Sequence, residues 1–149
     1  MIETTITADE AFEGFNSGVV CSQATFSEFA TQFGMDRETA LKVSSAFGGG
    51  TWRGEQCGCV VGGLMALGLK YGQGDNADPE KERLRKAKCD EFMRRFAEKH
   101  GSCICREILG LDHGKPDEYK KILEQNLYSK ICCHCVTTAC SILKDLLND

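Results

Sequence analysis

Proline is scarce in this chain, two residues among 149, so rigid turns are few. Basic charge is not in excess. Eighteen Lys and Arg stand against twenty-two Asp and Glu, a net charge of −4, which argues against the basic face that a nucleic-acid binder uses. The longest apolar run, Cys57 to Leu69, falls short of the roughly 18 residues needed to cross a bilayer, so no membrane partner is expected. The opening Met1-Ile2-Glu3-Thr4-Thr5 lacks the basic and apolar regions of a secretory signal, and a cytoplasmic location is the expectation. Sustained apolar–polar alternation is missing, as are internal repeats and low-complexity tracts. No CxxCH run for covalent haem occurs. Gly48-Gly49-Gly50 has neither the lysine of a phosphate-binding loop nor a preceding strand.

What is abundant is cysteine, ten residues, and glycine, sixteen. Apolar residues make up 42% and charged residues 27%, an ordinary composition for a soluble globular protein. The length fits one domain over 1–149. In a reducing compartment ten cysteines are not a disulfide framework. They read as metal ligands, redox thiols or small buried hydrophobes.

The periodicity is helical throughout. A short amphipathic helix covers Asp9 to Phe15. Val19 to Phe33 carries Val19, Phe26, Phe29, Ala30 and Phe33 on one stripe and stops at Gly34. Asp36 caps a helix to about Phe47. Gly48 to Gln56 is a glycine-rich loop. Cys57 to Tyr71 is apolar on all sides, as a central buried helix would be. After a polar linker, Pro79 opens a charged helix to Lys99 with Leu84, Cys89, Phe92, Met93 and Phe96 on its apolar face. Short helices are expected at Cys103 to Leu109 and from Pro116 to about Tyr128. The last runs from about Ile131 to Leu147. The expectation is an all-α, single-domain helical bundle around a buried, glycine-rich central helix.

Helix phase sorts the cysteines. Residues i and i+2 point to nearly opposite sides, whereas i and i+3 share a face. Cys57 with Cys59, and Cys103 with Cys105, therefore ligate one ion only if the first member of each pair lies in a loop or cap. Cys132 and Cys135 form the one CxxC pair and share a face. Cys57 is the best-placed thiol. It begins the buried helix, where unpaired N–H groups stabilise an anion and lower a thiol's pKa. Arg53 adds positive charge, and Gly49 and Gly50 can aim further N–H groups at the same point. Cys21 alone reads as a buried hydrophobe, Cys89 and Cys140 as core side chains, and Cys133 as exposed. His134 reads as solvated, and His100 and His113 as surface or capping residues. The central glycines Gly58, Gly62, Gly63 and Gly68 each cost about 1 kcal/mol relative to Ala. Such a helix is expected to have close neighbours, which bring cysteines of other helices beside Cys57.

Three stretches, Phe47-Gly48-Gly49-Gly50, Cys57-Gly58-Cys59-Val60-Val61-Gly62 and Leu67-Gly68-Leu69-Lys70-Tyr71-Gly72, resemble the C_GCAxxG_C_C family of redox-active proteins. The likeness extends from about residue 10 to 147. Read as a first cysteine, a CGAxxG-type motif and two further cysteines, the resemblance implies Cys21, Cys57, Cys105 and Cys132 in those four places. Cys59 then stands where the motif has alanine, and Cys103, Cys133 and Cys135 are additional. Members of the family resemble the iron–sulfur-binding part of split-Soret cytochrome c.

Three functions are compatible with these features. The first is a redox or electron-transfer protein whose Cys21, Cys57, Cys105 and Cys132 bind an iron–sulfur cluster, with Gly49, Gly50 and Arg53 supporting it. The second is a metal-free thiol–disulfide oxidoreductase in which Cys57 attacks and Cys59, Cys105 or Cys132 resolves. The third is a structural zinc protein. The partner would be a redox protein of unspecified kind, and a homodimer is one arrangement considered.

Overall fold

Short polar caps set the starts of three helices in the computed structural model, which describes residues 1–149. Eight α-helices follow in order: α1 (Ala8–Asn16), α2 (Cys21–Ala30), α3 (Arg37–Val43), α4 (Gly58–Tyr71), α5 (Pro79–His100), α6 (Cys105–Leu109), α7 (Pro116–Glu124) and α8 (Cys133–Leu147). Thr7 and Glu10 close a capping box on α1, each side chain accepting from the other's backbone N–H at 3.1 and 3.2 Å. Asp36 accepts from the Thr39 N–H at 2.9 Å to start α3. Asp78 caps α5 ahead of Pro79.

The fold is all-helical, as the periodicity requires. The elements differ from the sequence reading mainly at their ends. The second helix is regular over Cys21–Ala30 and tightens into a 3-10 turn at Thr31–Phe33 before Gly34 ends it with φ 90°. Helix α3 stops at Val43 rather than near Phe47. Helix α7 stops at Glu124, because Asn126 adopts φ 56° and cannot continue it. A π-type turn at Tyr128–Cys132 leads directly into α8.

Helix α4 is central, packing against α2, α5 and α8. It is not buried on all sides: Leu69 is 37% exposed. Close packing depends on missing side chains. A Cβ at Gly62 would lie 2.7 Å from the Ser22 carbonyl oxygen, and one at Gly63 would overlap the edge of the Phe92 ring. The α2–α4 crossing is therefore backbone to backbone. Ser22 Oγ donates to the Ser44 carbonyl at 2.6 Å, holding the end of α3 against the same crossing. Phe26 and Phe29 from α2, Phe92 and Phe96 from α5, and Val136 and Leu143 from α8 complete the core. Each large side chain so buried contributes roughly 1.5–3 kcal/mol. No helix is long and apolar enough to cross a membrane.

Candidate functional site

The two CxC segments pair with each other. The Cys57 N–H donates to the Cys103 carbonyl at 2.8 Å and the Cys105 N–H donates to the Glu55 carbonyl at 2.6 Å. Gln56 and Ile104 thus form an isolated antiparallel bridge. This bridge is why α6 begins at Cys105 and not at Cys103. It is also why helix phase does not govern either pair. Cys57 is the N-cap of α4, with φ −54° and ψ 134°, while Cys59 lies within the first turn.

One cavity of about 270 Å³ collects six of the ten cysteines: Cys21, Cys57, Cys59, Cys105, Cys132 and Cys135. Cys21 arrives as the first residue of α2, Cys105 as the first of α6, Cys132 from the π-type turn, and Cys135 from the first turn of α8. The space that lets Cys21 reach Cys59 is the missing side chain of Gly58, where a Cβ would overlap the Cys21 sulfur. The remaining cysteines stay apart. Cys103 donates to the Met93 carbonyl at 3.4 Å, Cys140 belongs to the core, and Cys89 is half-buried beside it. Cys133, expected to be exposed, is 3% exposed and donates to the Ser129 carbonyl at 2.9 Å. The π-type turn shifts the register entering α8 and rotates Cys133 inward.

The thiols are not equivalent. Hydrogen bonds from Cys135 and then from Cys59 hold Cys57 well below the ordinary thiol range. The backbone N–H groups of Cys59 and Val60 assist without closing a capping hydrogen bond. Cys59 is pushed well up, chiefly by donating to Cys21 and Cys57. Cys135 is pushed up by donating to Cys57. Burial raises Cys105 to about 12 and Cys132 well above its usual value. One negative charge is thus favoured on Cys57, and desolvation opposes a second.

Of the supporting residues expected from sequence, Gly49 lines the cavity, and a Cβ on Gly50 would lie 2.8 Å from Cys105 Cβ. Arg53 does not join them. Its side chain is exposed and makes a single weak contact with the Thr51 carbonyl. The turn carrying these residues is left-handed. Gly49, Gly50, Thr51 and Trp52 have φ of 59°, 62°, 57° and 60°. For the non-glycine pair this costs roughly 1–2 kcal/mol per residue. The turn interlocks with the segment around His113. A Cβ at Gly49 would lie 2.8 Å from His113 Nδ1, and one at Gly114 would lie 2.8 Å from the Trp52 carbonyl oxygen.

That interlocking buries His113, which the sequence reading placed at the surface. The residue is 6% exposed and lines the cavity. Its Nε2 shares a 2.6 Å hydrogen bond with Tyr128 Oη, and its ring meets Tyr119 edge-on at 4.5 Å and Trp52 at 5.2 Å. Burial lowers its pKa and keeps the ring neutral. Nothing in the spacing around Asp112-His113-Gly114 signals this. His100 is likewise half-buried, bonded to Thr138 Oγ1 at 2.9 Å. His134 is exposed, as expected.

No group of three or more His, Cys, Asp or Glu side chains is arranged to hold a single metal ion. Residues 19–146 match the family described as "Putative redox-active protein (C_GCAxxG_C_C)". No curated protein and no solved structure matches the chain. Against the family's lettering, GCAxxG falls on Gly58-Cys59-Val60-Val61-Gly62-Gly63, with Val60 in the alanine position. Cys59 is therefore the motif cysteine, and Cys57 stands two residues ahead of it. The two lettered glycines are Gly58 and Gly63, the positions that admit the Cys21 sulfur and the Phe92 ring. With the match spanning nearly the whole helical fold, the chain belongs to the C_GCAxxG_C_C family, which is described as redox-active.

Proposed function

We propose that this is a cysteine-based redox protein whose six-thiol cavity holds an iron–sulfur cluster. The observation that carries this reading is convergence: six thiols from distant parts of the chain line one cavity of about 270 Å³. Cys21, Cys59, Cys57 and Cys135 form one hydrogen-bonded chain of thiols there. A multi-iron group takes thiolates at its periphery, so sulfurs lining one cavity suit it. Cys21, Cys57, Cys105 and Cys132 are the proposed ligands, with Cys59 and Cys135 hydrogen-bonded beside Cys57. When bound, the group would supply reversible one-electron storage. The chain's own part is to hold the sulfurs, exclude water and stabilise negative charge at Cys57. Because most of these thiols are protonated in the unliganded protein, loading releases protons and weakens as pH falls.

Anaerobic purification followed by iron and acid-labile sulfide analysis is the test. Stoichiometric iron and sulfide are expected, with Cys57→Ser losing most of the iron. If Cys59→Ser loses iron and Cys57→Ser keeps it, the ligand is the motif cysteine instead. Protein that stays colourless and iron-free after reconstitution refutes the proposal, and stoichiometric zinc without iron replaces it with the structural-zinc reading.

A second reading is favoured by the hydrogen bonds to Cys57. As a thiolate, Cys57 would attack a substrate disulfide, form a mixed disulfide and release one substrate thiolate. Cys59 or Cys135 would then lose its proton and attack Cys57 Sγ. That step releases the second substrate thiolate and leaves an intramolecular disulfide. Metal-free protein with disulfide reductase activity that Cys57→Ser abolishes would support it. Activity surviving that substitution would end it.

A further inference from the structure

The same cavity is also lined by aromatic side chains. Trp52, His113, Tyr119 and Tyr128 line it, and Phe15 lies against Tyr128 at 5.8 Å. No Lys, Arg, Asp or Glu lines the cavity, so a charged ligand would lose its hydration without gaining a counter-charge. Size narrows the class further. An apolar cavity of about 150 Å³ binds benzene. The volume here, about 270 Å³ including the space beside the thiols, takes one ring with a substituent when no metal group fills it. Polar groups among these aromatic side chains are few, and they are linked. His113 Nε2 and Tyr128 Oη share their hydrogen bond, and His113 Nδ1 is buried with no partner. The unpartnered Nδ1 faces Gly49 and is closed to the cavity, so the hydrogen-bonding group open to a ligand is the Tyr128 hydroxyl. Strained backbone concentrates at ligand sites, and the strained Trp52 is 44% exposed.

We propose that this aromatic lining binds a small neutral ligand of the phenol class, one ring carrying one hydroxyl. The ring packs against Trp52 and Tyr119, and the hydroxyl joins the His113–Tyr128 pair. A hydroxyl both donates and accepts, so it completes the pair whichever ring nitrogen of His113 carries the proton. Aromatic side chains favour a ring by edge and face contacts. This site shares its cavity with the thiols, belongs to the metal-free protein and goes beyond the proposed function.

Trp52 is the single tryptophan, so its fluorescence reports occupancy directly. Full-length, chelator-treated protein is titrated with phenol, benzene and anisole, the last keeping the ring and oxygen but losing the O–H. Phenol is expected to bind about fivefold more tightly than benzene or anisole, the factor that one hydrogen bond supplies. Tyr128→Phe is expected to bring phenol and benzene within about twofold while leaving benzene binding unchanged. The proposal falls if phenol gives no saturable change, if anisole binds as tightly as phenol, or if the phenol preference survives in Tyr128→Phe. Should that variant fail to fold, the anisole comparison alone decides. Iron and sulfide analysis of the same preparation before chelation keeps the two proposals separable, since either can fail while the other holds.

Discussion

Alanine has opposite consequences at two glycines of α4. At Gly58 a Cβ would overlap the Cys21 sulfur and press within 2.9 Å of the Phe47 carbonyl oxygen. The α2–α4 crossing has no slack, because both partners there are backbone or short side chains. Gly58→Ala is expected to destabilise the fold by about 1–3 kcal/mol and to displace Cys21 from the cavity. Gly68 meets nothing within 4 Å, so Gly68→Ala is expected to gain up to about 1 kcal/mol from helix propensity alone. Urea unfolding of the two variants checks the sign at each position. The sequence showed that the central helix was rich in glycine and must admit neighbours. It did not show which glycines touch, since that depends on the angle of the crossing. The reading held at Gly58, Gly62 and Gly63, and not at Gly68.

Strain and pairing act on the scale of turns and short segments. The left-handed run from Gly49 to Trp52 places two non-glycine residues where L side chains rarely sit. Thr51 is partly exposed and its hydroxyl bonds only the adjacent Gly50 carbonyl. Thr51→Gly is therefore expected to leave the fold intact and to stabilise it by up to about 1 kcal/mol. A clear loss of thermal stability would show that the threonine makes a contact worth more than its strain. The same scale accounts for the paired CxC segments. Each was legible as a motif, yet the bridge of Gln56 to Ile104 joins residues far apart in sequence. Neither segment has the alternation or length of a strand, so no local pattern announced their pairing.

Across the whole molecule, the buried thiols couple stability to pH. Cys59, Cys105, Cys132, Cys135 and Cys140 all have raised pKa values in the fold. In the unfolded chain a thiol titrates near about 8.5. Above that pH the unfolded state sheds protons that the folded state retains. The stabilising contribution of these thiols is thus complete below the unfolded value and is lost as pH rises beyond it. Cys57 has the opposite sign: its depressed pKa adds stability above the unfolded value, lost as pH falls through its folded pKa. Metal-free protein is expected to lose stability steeply on the alkaline side, as urea midpoints at neutral and alkaline pH would show. Cys57→Ser removes the acceptor that raises Cys59 and Cys135 and is expected to flatten that loss. Metal bound as proposed would reverse the trend, because it would hold the thiols ionised in the folded state; chelation of such a form is then expected to lower the melting temperature most at alkaline pH.

The amino-acid sequence alone determined the helices, the starts marked by Asp36 and Pro79, the central position of α4 and the family resemblance, because periodicity, capping and a short motif are local properties. It did not fix the register of the motif, whose cysteine is Cys59. It also singled out Cys57 from its place at a helix start, although the larger lowering comes from Cys135 and Cys59, which only the tertiary structure brings to it. Only the tertiary structure decided which six cysteines share a cavity, that Cys133 turns inward while Arg53 stays in solvent, and that His113 is buried against Gly49. Those outcomes depend on segments separated by tens of residues closing on one another. Helix phase fixes a side chain's direction relative to its own axis, and it carries no information about what the neighbouring axis presents.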